Sequence, residues 1–123
     1  MSRHTYRARD AAEDMLRLGL KIERLIGGMS ESQFLLNETT LDSVILAIAN
    51  IGEAAKRFMD AVPDAVNRFP NIPLFAMYSM RNRVIHGYDF VDFVRVWETA
   101  SRSLPPVNAE LKSLLANWPS DLS

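Results

Sequence analysis

One short segment in the second half of the 123-residue chain combines an arginine and a histidine at a close spacing. Arg81 and His86 stand five residues apart, Asn82 and Arg83 follow the arginine directly, and Tyr88 lies two residues beyond the histidine. A guanidinium group binds phosphate through a planar fork of N–H donors, and an imidazole exchanges protons near neutral pH. These are the side chains that binding or cleavage of a phosphodiester requires.

The segment closes a predicted helix that begins near Ile72, carries Pro73 in its first turn and runs to His86, with Gly87 as the expected C-cap. The macrodipole at a helix C-terminus favours a protonated imidazole, which would help His86 to donate a proton or bind phosphate. Five residues correspond to about 140° around an ideal helix, so Arg81 and His86 flank one edge of it. Their tips can meet over a ligand, or each can meet its counterpart from a second protomer.

Each of these residues, taken alone, has a simpler interpretation. A helix-terminal histidine followed by glycine is more often a capping residue than a catalyst, and a single arginine on a helix edge is usually a solvated ion-pair partner. Tyr88 alone would be a packing residue. The complete set at this spacing favours a phosphodiester site, with Arg81 and His86 as catalytic residues and Asn82 and Arg83 in support.

The preceding long helix offers a second and weaker group of polar residues. Asn50, Glu53 and Arg57 fall on one helical face. The simpler interpretation is an exposed ion pair between Glu53 and Arg57, which are four residues apart. The alternative is that Glu53 and Arg57 form a wall of the groove around Arg81 and His86.

A bound metal has little support in the sequence. The chain has no cysteine, and its two histidines, His4 and His86, are far apart. Asp89 and Asp92 carry magnesium-type ligands but are explained more simply as helix N-caps. A glycine-rich phosphate loop and a GxSxG motif are both absent from the sequence. We therefore predict no metal and no cofactor.

The first half of the chain shows two long helical patterns joined by a short one. The first predicted helix runs from 6 to 26 and is closed by Gly27-Gly28, since glycine readily adopts the left-handed cap conformation. Ser30 and Gln33 form a capping box that starts a short helix. The second long helix has its start signal at Thr39 and ends at Pro63.

The second half continues the helical pattern. On the third long helix, Arg81 and His86 lie outside the expected core stripe. A last helical region is expected to start at Asp89 or Asp92. A kink or break is expected at Leu104-Pro105-Pro106, because proline removes a helical hydrogen bond. The fold class predicted is all-α, an antiparallel helical bundle of three or four long helices with short helical connectors. The expected core stripe of the third helix consists of Ala76, Met77, Met80 and Val84.

Composition limits the classes of function. With 48% hydrophobic and 24% charged residues, the chain is typical of a globular protein, and we predict a single domain over residues 1–123. The net charge of −1 argues against a protein that coats nucleic acid, so any nucleic-acid contact must be a local groove. No apolar run reaches the length of a membrane span and no secretory signal is evident, so we expect a cytoplasmic protein without a membrane partner.

Several blocks of the sequence resemble the HepT-like group of the HEPN family. They are NIGEAAKR at 50–57 and the stretch from 72 to 105 that contains RNRVIHGY and VWETASRSLP, and the similarity covers roughly residues 8 to 117. The resemblance implies a helical bundle that pairs into a homodimer and, as in many members, a metal-independent ribonuclease. The arginine of the family motif falls on Arg81, its polar neighbour on Asn82, its histidine on His86 and the group's extra tyrosine on Tyr88.

The resemblance also implies a biological setting. HepT-like proteins are toxins of toxin–antitoxin pairs, and their partner, a minimal nucleotidyltransferase, can attach AMP to the motif tyrosine, here Tyr88, and silence the toxin. This sequence departs from the common pattern at Asp89-Phe90, which places an acid beside the expected phosphate site.

The residues fit an endoribonuclease that uses the 2′-hydroxyl of RNA as its nucleophile and leaves a 2′,3′-cyclic phosphate. That chemistry needs an acid, a base and a cation, and two facing copies of the motif would supply them. Two alternatives stay open. One is a non-catalytic helical module that binds nucleotides or partners a nucleotidyltransferase, and the other is a structural adaptor.

Overall fold

The computed structural model describes residues 7–84 in full, the backbone of 85 and 86, and residues 91–123. The described residues form helices and turns without a β-strand, which confirms the predicted all-α class. The helices are α1 (Ala8–Ile26), α2 (Glu31–Leu36), α3 (Glu38–Ala61), α4 (Ala65–Arg68), α5 (Leu74–His86), α6 (Phe93–Glu98), a π-helical turn (Thr99–Ser103) and α7 (Leu104–Ala116).

Helix α3 is the centre of the bundle. It packs extensively against α1 and against α5, and α7 packs on α1. Met15 and Ile22 of α1 and Val44 and Phe58 of α3 are almost completely buried. Burial of apolar side chains is the main source of stability in such a bundle. The packing of α5 on α3 therefore fixes the position of the helix that carries Arg81.

Two helix starts illustrate how local signals set the boundaries. The capping box is confirmed, because the Ser30 side chain accepts from the Gln33 backbone and the Gln33 side chain accepts from the Ser30 backbone. The predicted start at Thr39 is wrong by two residues. Asn37 caps α3 instead, and its Oδ1 accepts from the Thr40 backbone N–H at 3.0 Å. Asparagine is as good an N-cap as threonine or better, so the earlier site prevails.

At the other end of the chain, Asp92 is the N-cap of α6, and its side chain accepts from two backbone N–H groups. Gly87 and Asp89 lie outside the described residues. At Leu104-Pro105-Pro106 the helix is not interrupted. Just before the prolines the helix widens into the π turn, in which the Leu104 N–H donates to the Thr99 carbonyl oxygen five residues earlier. The two prolines then fall in the first turn of α7, where their missing N–H groups are not needed.

The expected core stripe of α5 is only partly correct. Val84 is buried, but Met77 and Met80 are half-buried and Ala76 is exposed. The reason is that α5 has α3 as its main neighbour, so it buries a narrow line of residues rather than a broad face. Arg81 lies on that line, which corrects the expectation that it falls off the core side.

Candidate active site

Arg81 of α5 packs against α3 at Gly52. A Cβ atom built on Gly52 would overlap the Cβ of Arg81 and would lie 2.7 Å from the carbonyl oxygen of Met77. Any side chain at this position would therefore push the two helices apart. Gly52 allows α5 to approach closely enough for the arginine to sit in the contact between the helices.

The Arg81 guanidinium is held by two neighbours. Its Nη2 lies 3.1 Å from Oε2 of Glu53 on α3, and its Nη1 donates to Oδ1 of Asn82 at 2.8 Å. Its Nε is buried without a hydrogen-bond partner among the described residues. The Arg81 side chain is 25% exposed, so solvent reaches part of it. Asn82 and Glu53 thus orient a guanidinium that is only partly buried.

The polar face of α3 is shared between two neighbouring helices. Glu53 contacts Arg81 of α5, and Arg57 donates to Asp14 of α1 at 2.9 Å. The spacing alone pointed first to a pair between Glu53 and Arg57, but each has a partner on another helix. Glu53 is therefore adjacent to Arg81, where a groove wall would stand, while Arg57 is directed toward α1.

His86 is the last described residue of α5. Its backbone follows that of Arg81 by five residues, or about 7.5 Å along the axis at about 1.5 Å per residue. The His86 side chain and residues 87–90, which include Tyr88 and Asp89-Phe90, lie outside the described residues. The relation between the imidazole, the phenol and the Arg81 guanidinium stays a prediction. Arg83 is exposed on the same helix.

Sequence reasoning assigned no role to Gly52, although it falls inside the NIGEAAKR block. The available signal was a glycine in the middle of a long helical pattern, where it costs about 1 kcal/mol relative to alanine and usually has a packing reason. The choice of Arg81 as the packing partner could not be read from that signal.

The described residues contain no group of three or more His, Asp or Glu side chains arranged to hold a metal ion. Across the same residues, every helix is too short or too polar to cross a membrane.

Comparisons with known proteins support the family resemblance seen in the sequence. The sequence model of a family described as Ribonuclease HepT-like matches residues 15–114. A protein of Methanocaldococcus jannaschii provisionally named an RNase is 32% identical over 87 residues, which cover 71% of this chain and 72% of that protein. A protein of Thermococcus cleftensis provisionally named a ribonuclease HepT is 31% identical over 107 residues, which cover 86% of this chain and 94% of that protein. No solved structure gives a significant match.

Proposed function

Because the chain belongs to the HepT-like ribonuclease family, we propose that it is an endoribonuclease that cleaves RNA through Arg81 and His86. The observation that carries the proposal is the placement of Arg81. A guanidinium is built into a helix contact over Gly52, oriented by Glu53 and Asn82 and partly open to solvent. This group suits a phosphate oxygen, because a preorganised guanidinium binds phosphate through two parallel N–H bonds.

The proposed reaction is transesterification within the RNA. A base removes the proton of the 2′-hydroxyl, the 2′-oxygen attacks the adjacent phosphorus, and the bond from phosphorus to the 5′-oxygen breaks. An acid gives a proton to that leaving oxygen, so the products are a 2′,3′-cyclic phosphate and a 5′-hydroxyl. His86 moves a proton, and Arg81 stabilises the charge that develops on the phosphoryl oxygens.

Glu53 and Asn82 are positioning residues in this scheme. The Glu53 carboxylate competes with phosphate for the guanidinium charge, but it also fixes the direction in which the remaining N–H groups point. Preorganisation of this kind is a large part of electrostatic catalysis, since the donors need not reorganise during the reaction.

A homodimer would complete the site. One chain contributes one motif histidine, whereas a two-fold dimer brings two copies of His86 and Arg81 within reach of one phosphate. The helices that carry the site also expose large apolar side chains, Leu46 of α3 at 61% and Phe75 of α5 at 66%. Covering such residues would favour association.

The proposal extends to the biological role. We place the protein as the toxin of a toxin–antitoxin pair, with a minimal nucleotidyltransferase as antitoxin that attaches AMP to Tyr88. This part is supported by the family membership and by the position of Tyr88 seven residues after Arg81.

A second candidate function is a non-catalytic nucleotide-binding module or adaptor for the nucleotidyltransferase. The observation that favours it is the ion pair between Arg81 and Glu53, because such a pair would suffice to join α3 and α5.

Cleavage of a 5′-labelled single-stranded RNA in EDTA separates the two candidates. We expect metal-independent cleavage with a 2′,3′-cyclic phosphate product, identified by mass. Arg81→Ala should lower the rate on the order of a hundredfold or more, and His86→Ala should abolish measurable cleavage. Arg81→Lys keeps a charge but loses the fork, so it separates the geometry of the guanidinium from its charge. Full activity of folded His86→Ala protein would remove His86 from the proposed mechanism, and absence of cleavage by the wild type would leave only the adaptor.

A further inference from the structure

A groove of about 400 Å³ opens beside α5, between it and the α6–α7 helical run. Its floor is apolar. It consists of Ile48 and Ile51 of α3, Met77 and Met80 of α5, and Leu104 and Val107 of α7. The volume falls within the range of small-molecule sites, about 300–1,000 Å³, and suits a single nucleotide base with its sugar.

The charged side chains in the described lining of this groove are all positive. Arg83 of α5 and Arg95 of α6 are its charged residues, and the described lining holds no carboxylate. Within the described part of the chain, neither arginine has an ion-pair partner, whereas Arg68 and Arg57 are paired with Asp121 and Asp14. The groove thus carries two guanidinium groups from different helices that have no carboxylate partner among the described residues, in a chain of net charge −1.

We infer that this groove binds the single-stranded RNA next to the scissile phosphate, with a base on the apolar floor and backbone phosphates on Arg83 and Arg95. The inference rests on the proposed ribonuclease function. Arg83 stands three residues before His86, about 60° away around the helix, so the groove adjoins the histidine end of the catalytic segment. An apolar floor flanked by arginines provides the combination of base contact and phosphate neutralisation that single-strand binding uses.

A second copy of the chain is the competing occupant, because the floor is apolar. An apolar protein surface would, however, bury Arg83 and Arg95 without a counter-charge, which is costly. A nucleotide supplies an apolar base face and the negative charge together, so the lining favours RNA.

The test uses the full chain and a fluorescein-labelled 2′-O-methyl RNA, which has no free 2′-hydroxyl and stays intact. We would measure the Kd by anisotropy over a range of KCl concentrations for the wild type, Arg83→Gln, Arg95→Gln and the double variant. Each single change should weaken binding about tenfold, as expected for loss of a charged hydrogen bond. Each should also reduce the salt slope by about 0.7, as expected for one phosphate contact on a single strand.

The matched control is Arg102→Gln, since Arg102 is exposed in the π turn and lies outside the groove lining. Its Kd and cleavage rate should equal those of the wild type. A further variant, Ala76→Trp, fills the groove from an exposed position on α5 and should weaken binding without lowering the melting temperature. For cleavage of ordinary RNA, Arg95→Gln should raise KM rather than lower kcat.

The outcomes separate this inference from the proposed function. Wild-type protein that binds and cleaves RNA, with an unchanged Kd in the double variant, would overturn the groove assignment alone. Binding that depends on Arg83 and Arg95 without any cleavage would support the groove and overturn the ribonuclease. A double variant with normal RNA binding but an altered mass by light scattering would assign the groove to a second copy of the chain.

Discussion

Gly52 and Arg81 lie against each other where α3 and α5 pack, and the missing side chain of one makes room for the charged side chain of the other. An arginine on the packed line of a helix would ordinarily separate the two helices or lose its hydration without a partner. Here the absence of a side chain at Gly52 leaves space for the arginine. Glu53, the next residue of α3, supplies a carboxylate oxygen 3.1 Å from the guanidinium. Two consecutive residues of α3 therefore act on the proposed catalytic group: Gly52 makes room for it and Glu53 orients it.

The first prediction concerns Gly52→Ala. Alanine improves helix propensity by up to about 1 kcal/mol, but the added methyl group overlaps Arg81 and should cost about 1–3 kcal/mol through overpacking. We expect a net loss of stability in urea unfolding and, in protein that remains folded, a loss of cleavage from displacement of Arg81. Asn50→Ala, an exposed change on the same helix, is the control and should be close to neutral. A Gly52→Ala protein with wild-type stability and activity would show that the close approach is unnecessary.

The second prediction separates the core from the site. Ile48 is 5% exposed, so Ile48→Ala should lower the free energy of unfolding by about 2–5 kcal/mol. His86 is the last described residue of α5 and is expected to act in chemistry, so His86→Ala should stay within about 1 kcal/mol of the wild type while losing cleavage. Thermal and urea unfolding of both variants measure this difference. If His86→Ala were the less stable of the two, the histidine would have a structural role.

The third prediction is a dimer. Light scattering over a range of concentrations should give about twice 13.9 kDa. Phe75→Glu places a charge on an exposed apolar position of α5 and should shift the equilibrium toward the monomer with a parallel loss of cleavage. Glu38→Gln, an exposed change elsewhere, serves as the control. A wild-type monomer at tens of micromolar that still cleaves RNA would show that one chain suffices.

The fourth prediction concerns control at Tyr88. An AMP group there would add a negative phosphodiester, which can pair with the cationic Arg81 and occupy the place of the RNA phosphate. On co-expression with a cognate minimal nucleotidyltransferase, intact-mass analysis should show adducts of AMP mass on the wild type and none on Tyr88→Phe. Tyr88→Phe should also remain toxic in the presence of the partner. Equal neutralisation of both proteins would mean that the antitoxin acts by binding alone.

The fifth prediction concerns the C-terminal segment. Arg68 of α4 donates to both carboxylate oxygens of Asp121, at 2.8 and 2.7 Å, and this hydrogen bonding lowers the pKa of Asp121 below its ordinary value of 3.8. A carboxyl group with a lowered pKa in the folded state stabilises the fold above its unfolded pKa and loses that contribution as the pH falls through its folded pKa. Asp121→Asn should therefore melt slightly below the wild type at pH 7. The gap should close in the acid range below about pH 4. A gap that persists at pH 2 would assign the effect to packing.

Much of the helical architecture follows from local sequence. The capping box at Ser30 and the N-cap at Asp92, one of the two starts that the sequence offered, depend on residues a few positions apart, so local sequence predicts them. The position of Arg81 and His86 on one helix follows in the same way. The start of α3 shows the limit of such reasoning, since Asn37 and Thr39 are both good caps and the structure uses the first.

Residue types and their spacing along the chain were enough to predict the helices and the family, and to propose Arg81 and His86 as the catalytic pair, because those features are local in sequence. The tertiary structure decided which side of α5 faces α3, and it placed Arg81 over Gly52 and beside Glu53. It also brought Arg95 to the same groove as Arg83. These relations depend on how the helices pack, and helical periodicity describes the faces of one helix without specifying which neighbour each face meets.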